Sequence, residues 1–286
     1  MESREEWERW YASPNPWGNE GSLEDRVRIG TLSARLERAR FQLALDLGCG
    51  EGVMSHALSR RAERTMGFDI SQRAIERAQA RFPDVEFGQG EIREVARRPD
   101  IVRLPFDFVC AAEVLYYLQR DEDRLDAVQA ISGLGAPHCL FFFSVIVRGD
   151  SKYRRYFTLD SFLELIDPYF NVIDSFPFVA LRPMWLDGML RILPADIGVR
   201  VLRRWTQTRT VESCKHVGFF ALKRQAAGSS TRRLHEGAAS HGERRVEAPL
   251  PLARLGGGEG SLTPAPGPSA TRRTPRAAGP SPFPRA

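Results

Sequence analysis

The sequence predicts an α/β protein built on a mostly parallel sheet with helices on both faces. Three observations predict it. Apolar runs of strand length, Leu43–Leu47, Phe106–Ala112 and Cys139–Val147, are continuous rather than alternating, as strands buried on both faces are. Segments with helical apolar spacing separate them, among them Val53–Arg60, the SQRAIERAQARF stretch from Ser71 and Asp121–Leu134. Three alternating glycines, Gly48, Gly50 and Gly52, join the first run to the first of these helices.

A tight strand-to-helix turn needs residues that tolerate positive φ, and a bare backbone lets a ligand lie against the amides of the helix start. The dinucleotide fingerprint G-x-G-x-x-G would need glycine at 53, where Val53 stands, so a nicotinamide reading weakens. Asp46, two residues before the first glycine, would repel a pyrophosphate and suits a ligand carrying positive charge. Asp69 ends the predicted second strand, Arg64–Asp69, seventeen residues past Gly52, near the spacing at which a carboxylate meets vicinal ribose hydroxyls. Ser71 offers the cap for the following helix, which is expected to leave Asp69 free for a ligand.

The string LALDLGCGEG (43–52) with its acidic strand end resembles motif I of the class I S-adenosylmethionine-dependent methyltransferases. Phe106–Leu118, with an aspartate before a buried strand and Glu113 at its carboxyl end, resembles motif IV, and EVLYYL (113–118) resembles its form in the nodulation N-methyltransferase group. The likeness covers Trp10 to about Lys223. It implies a Rossmann-like class I fold, seven strands in the order 3-2-1-4-5-7-6 with the seventh antiparallel, and S-adenosyl-L-methionine as cofactor. It further implies Asp46, Gly48 and Gly50 for the methionine part, Asp69 for ribose, Glu91 with Ile92 for adenine, after a short strand at Val85–Gly88, and Ile70 as a further cofactor-binding residue. Glu113 is expected to contact the cofactor or take an acceptor proton; it and Tyr116 are the weak catalytic candidates. Tyr116 and Tyr117 are expected to wall the acceptor pocket.

Residues 1–40 read as an aromatic arm and a helix. Trp7, Trp10, Tyr11 and Trp17 precede a helix expected from Ser22 to Arg38, and Pro14 and Pro16 display Trp17 from a turn. Tyr11 and Trp17 are candidate acceptor contacts, either packed on the domain or closing over the ligand. The segment also resembles the opening of the nodulation group, with Asn15 where aspartate is commoner. Residues 41–224 read as the methyltransferase domain, closing with strands at Asn171–Leu181 and Val217–Lys223 around an insert, 182–216, of amphipathic pieces. The insert reads as a cap, a dimer contact or, more weakly, an interfacial element. The basic loop Arg148–Tyr156 is placed where acceptor specificity would be set, and 225–286, with 9 Pro and 9 Gly, reads as a disordered tail.

Charge narrows the function classes. The totals are 41 Lys+Arg and 36 Asp+Glu, and the tail holds 9 Arg and 4 Glu, leaving 32 of each sign in residues 1–224. A neutral folded part, without an Asn/Asp-Pro-Pro-Tyr/Phe string at Glu113–Tyr116, argues against a nucleic-acid partner. The expected acceptor is therefore a small molecule or saccharide, methylated on N or O by in-line transfer; a cofactor-binding regulator without turnover is the rival from another class. Four dispersed cysteines suggest neither a metal site nor disulfides. The absence of an apolar run near ~18 residues and the charged opening MESREEWERWY predict a cytoplasmic protein without a transmembrane segment.

Overall fold

The computed structural model describes residues 3–18, 21–147 and 157–224; the expectations for Arg148–Tyr156 and for the tail from Gln225 lie outside the described residues. All described residues belong to the first of the two units into which the chain divides, residues 1–255.

Seven strands form one sheet: β1 (Phe41–Leu47), β2 (Ala62–Asp69), β3 (Glu86–Gln89), β4 (Phe108–Ala112), β5 (Leu140–Ile146), β6 (Phe170–Ala180) and β7 (Cys214–Lys223). Their order is β3-β2-β1-β4-β5-β7-β6, and β7 runs antiparallel to both of its neighbours. The remaining pairs are parallel, so the carboxyl ends of β1, β2, β4 and β5 share one edge. In such sheets that edge carries the ligand crevice.

Period-two alternation divides the phenylalanines of the core. Phe108, Phe142, Phe176, Phe178 and Phe220 face one side with Leu32 and Leu36, from the helix α2 (Leu23–Arg35) and its cap. Phe141, Phe143, Phe170 and Phe219 face the other, under α7 (Asp121–Ser132) and α8 (Leu159–Ile166). Each such ring contributes about 1.5–3 kcal/mol by leaving water. β5, LFFFSVI, is buried along its whole length, which is why it reads as a continuous apolar run.

The other helices are α1 (Arg4–Trp10), α3 (Val53–Ser59), α4 (Gln72–Arg81), α5 (Ile92–Val95), α6 (Pro99–Val102), α9 (Met184–Ile192) and α10 (Ala195–Gln207). Several bounds differ from the expected ones for identifiable reasons. α2 ends at Arg35, because the chain must turn to begin β1 at Phe41. There Asp107 accepts the amides of Gln42 at 2.7 Å and Leu43 at 3.0 Å, tying the start of β1 to that of β4. β7 begins at Cys214 rather than Val217, since His216 pairs with Ile146 and Val179. Ser71 caps α4 as expected, accepting from the Ala74 amide, and Ser22 and Thr158 cap α2 and α8 by accepting from the Asp25 and Ser161 amides. No helix of the described residues is long and apolar enough to cross a membrane.

Gly48, Gly50 and Gly52 all adopt positive φ, and Gly52, at +84°, starts α3. A Cβ at Gly52 would lie 2.7 Å from Phe87 Cζ and 3.0 Å from Ala78 Cβ. Gly52→Ala is therefore expected to cost about 1–3 kcal/mol through the backbone conformation and the clash together, read as a lower urea midpoint at unchanged slope.

Candidate functional site

A cavity of about 500 Å³ opens at the carboxyl edge, within the size range of small-ligand sites. Its floor is the glycine turn. Gly48 and Cys49 donate their amides to the Phe68 carbonyl at 2.8 and 3.0 Å, and Gly50 donates to Asp69 Oδ2 at 2.9 Å. Gly48 has no room for a side chain, since a Cβ there would meet Val114 Cγ2 at 2.6 Å.

Asp69 and Ile70 line the cavity, but Asp69 is not free: its other oxygen accepts the Ser71 amide at 3.0 Å. Each oxygen keeps further acceptor capacity. Burial raises the Asp69 pKa to about 6, against the pull of the Ser71 and Gly50 amides. Asp46 corrects the expectation more strongly, because it does not line the cavity. It is buried behind the turn, accepts from Ser55 Oγ at 2.6 Å, and burial lifts its pKa to about 6 despite that bond.

Glu91 and Ile92 also reach the cavity. Glu91 caps α5, accepting the Arg93 amide at 3.0 Å and the Glu94 amide at 3.3 Å, and its other oxygen pairs with Arg93 Nε at 3.1 Å. The carboxylate expected to receive an adenine amino group is thus engaged in holding the turn.

Glu113 has φ +58°, a conformation β-carbon sterics disfavour. Its Oε1 accepts from Ser144 Oγ at 2.8 Å; its Oε2 meets the Tyr116 hydroxyl and His216 Nδ1, each at 3.0 Å. Burial alone would raise its pKa, but His216, then Arg28 and Ser144, outweigh it and pull the value to about 2. A carboxylate held so low is a poor proton acceptor near neutrality, which counts against the expected role of Glu113 as a base. Burial and the Glu113 charge push the Tyr116 hydroxyl well above its ordinary value, so it donates and stays neutral.

The aromatic arm forms the outer wall. α1 is pinned where Glu8 accepts from Ser71 Oγ at 3.2 Å and from the Gln72 amide. The turn after it is held by Glu51, which pairs with Arg77 Nε at 2.6 Å and accepts the Asn15 amide at 3.1 Å. Arg77 also donates to the Tyr11 carbonyl at 3.0 Å. The Tyr11 hydroxyl accepts from Trp17 Nε1 at 3.4 Å and stands 3.1 Å from where a Gly50 Cβ would be. Tyr117 meets Trp7 edge-on at 5.0 Å and Trp17 at 5.4 Å between centroids, so Tyr11, Trp17, Tyr116 and Tyr117 share one cavity.

Sequence reasoning missed Arg28 and His216. Arg28 lines the cavity from α2, bonded to Asp25 at 2.9 Å, and its Nε is buried without a hydrogen-bond partner among the described residues. Burial disfavours its charge, but Glu113 and Asp25 more than restore it. An Asp-x-x-Arg pair on a helix reads as a surface pair, and His216 lay just outside the predicted strand. Neither carried a local signal.

The methyltransferase domain family model matches residues 44–137. The ubiquinone biosynthesis O-methyltransferase of Leptothrix cholodnii is 30% identical over 129 residues, 44% of this chain and 54% of that protein. Nodulation protein S of Sinorhizobium fredii is 26% identical over 149 residues, 52% of this chain and 67% of that protein. The chain spans about half the length of curated O-methyltransferase relatives such as this one. Among solved structures, the N-methyltransferase NodS from Bradyrhizobium japonicum in complex with S-adenosyl-L-homocysteine superposes at a TM-score of 0.55 and 18% identity, covering 78% of this chain and 98% of that one. The magnesium protoporphyrin IX methyltransferase of Synechocystis gives 0.53 at 12% identity, with the same coverage. Residues 44–137 thus match a methyltransferase domain, the sheet has the class I S-adenosylmethionine-dependent methyltransferase fold, and the chain resembles the nodulation N-methyltransferases.

Proposed function

We propose that the chain methylates a small-molecule or saccharide acceptor, with S-adenosyl-L-methionine as donor. The observation that carries this reading is the guanidinium of Arg28, a half-buried cation lining the same cavity as Asp69 and the glycine turn. A donor with a carboxylate at one end and ribose hydroxyls further along meets both needs. S-adenosyl-L-methionine supplies a methyl group already activated by the sulfonium charge.

The remaining work falls to this chain's residues. Arg28 receives the carboxylate, Asp69 accepts from the ribose hydroxyls, and Gly48 and Gly50 leave the backbone bare for close approach. Ile70 and Ile92 offer apolar walls to a base ring, beside Glu91. Trp7, Tyr11, Trp17 and Tyr117 exclude water and hold the acceptor; positioning of this kind is worth about 7–11 kcal/mol. With Glu113 ionised and fully engaged, no proton acceptor is assigned, which favours an acceptor that attacks as a neutral amine over an alcohol.

Calorimetric titration with S-adenosyl-L-homocysteine tests the donor site. Micromolar binding is expected for the full chain, with Asp69→Ala and Arg28→Ala each weakening it at least tenfold, the loss of about one charge-assisted hydrogen-bonded contact. No binding to folded protein would remove the reading, and turnover with any acceptor would remove the regulator alternative. The pH dependence carries a sign. Asp69 accepts best as a carboxylate, so affinity should fall as pH drops through about 6, and Asp69→Asn should flatten that profile. A profile unchanged in the variant would move its origin to Asp46, which titrates in the same window.

A further inference from the structure

One pair of helices among the described residues carries a local excess of positive charge. The stretch 181–210 holds six arginines and two aspartates, within a 1–224 segment that is neutral as a whole. Its helices α9 and α10 turn Leu186, Leu190 and Leu202 inward onto Val27 of α2. What they turn outward is unusual. Met184, Trp185 and Ile192 are 89%, 63% and 82% exposed, and helical spacing puts them on one side of α9 with Gly188 and Arg191.

Trp185 meets Trp205 of α10 edge-on at 5.9 Å, and the Arg209 guanidinium lies 3.7 Å over the Trp205 ring. Arg200 and Arg204 project from the exposed side of α10. Arg200 reaches Asp196 at 3.3 Å, whereas Arg191, Arg203, Arg204 and Arg209 make no ion pair with a described residue. Large apolar side chains flanked by unneutralised arginines are costly against water and against neutral protein alike. They match the boundary of an anionic bilayer, where tryptophan sits at headgroup depth and guanidinium binds phosphate.

We propose that the outer face of α9 and α10 docks on an anionic lipid surface. Length forbids spanning, so the contact is peripheral. Val27 lies under this face while its neighbours Arg28 and Ile29 line the cavity, so docking would set the cavity one helix away from the lipid. The proposal does not depend on the methyl-transfer reading.

Co-sedimentation of the full chain with vesicles of phosphatidylcholine alone, or mixed with phosphatidylglycerol, tests it. Binding is expected only to the mixed vesicles, weakened by salt, with a blue shift of tryptophan emission. Trp185→Ser with Ile192→Ser, and separately Arg191→Glu with Arg204→Glu, should each reduce the partition at least tenfold at unchanged melting temperature, since all four side chains are exposed. Failure to bind the mixed vesicles would overturn the proposal. So would binding that both pairs of substitutions leave intact, which would assign it to the nine-arginine tail. A dimer in sedimentation velocity that Trp185→Ser with Ile192→Ser dissociates would overturn it in favour of a second copy.

Discussion

A largely enclosed carboxylate just past β4 constrains the whole carboxyl edge of the sheet. Glu113 is largely enclosed, in a strained backbone conformation, and an uncompensated charge there would be costly. Its compensation comes from four places: Ser144 on β5, His216 on β7, Tyr116 in the turn that follows, and the field of Arg28 from α2. These elements must meet at one point for the fold to be stable. That requirement accounts for the early start of β7, because His216 reaches Glu113 only if Cys214–His216 already pair with β5 and β6. It also sets the inner wall of the cavity, where Glu113, Tyr116 and Arg28 stand together.

The sheet and the glycine turn that floors the cavity were legible because their determinants are local. Continuous apolar runs announced β1, β4 and β5, and Gly48, Gly50 and Gly52 sit within five residues, where positive φ and strand-to-helix geometry can be read from the string itself. Asp46 shows where this stops. Spacing put a carboxylate beside the turn but not on a particular side of it, and the structure turns it towards Ser55, away from the cavity. Arg28 and His216 were illegible for a related reason. His216 meets Glu113 across 103 residues, and the neighbours of Arg28 in sequence give no hint that its Nε is enclosed.

The aromatic arm was read as rings without a scaffold. Its prolines were visible, but not that Ser3 and Glu6 form a capping box that starts α1. Nor was it visible that Glu8 would reach the first amides of α4, where negative charge complements a helix start. Glu8 and the Arg77–Glu51 pair fasten the two ends of the arm to the same βα unit that carries Asp69. The outer wall is consequently built on the glycine turn and the β2–α4 unit, so whatever displaces the arm also disturbs the surroundings of Asp69.

Charge along the cavity then separates two kinds of chemistry. Asp69 titrates near pH 6 and lies by the glycine turn, while Glu113 stays ionised down to about pH 2 and is saturated with donors. Tyr116, neutral and hydrogen-bonded to Glu113, has its proton committed as well. The inner wall, where the Arg28 guanidinium stands beside Glu113, can therefore offer a balanced pair of charges but little basicity. Such a wall does little for a hydroxyl that must first lose its proton, whereas a neutral amine makes no such demand of it.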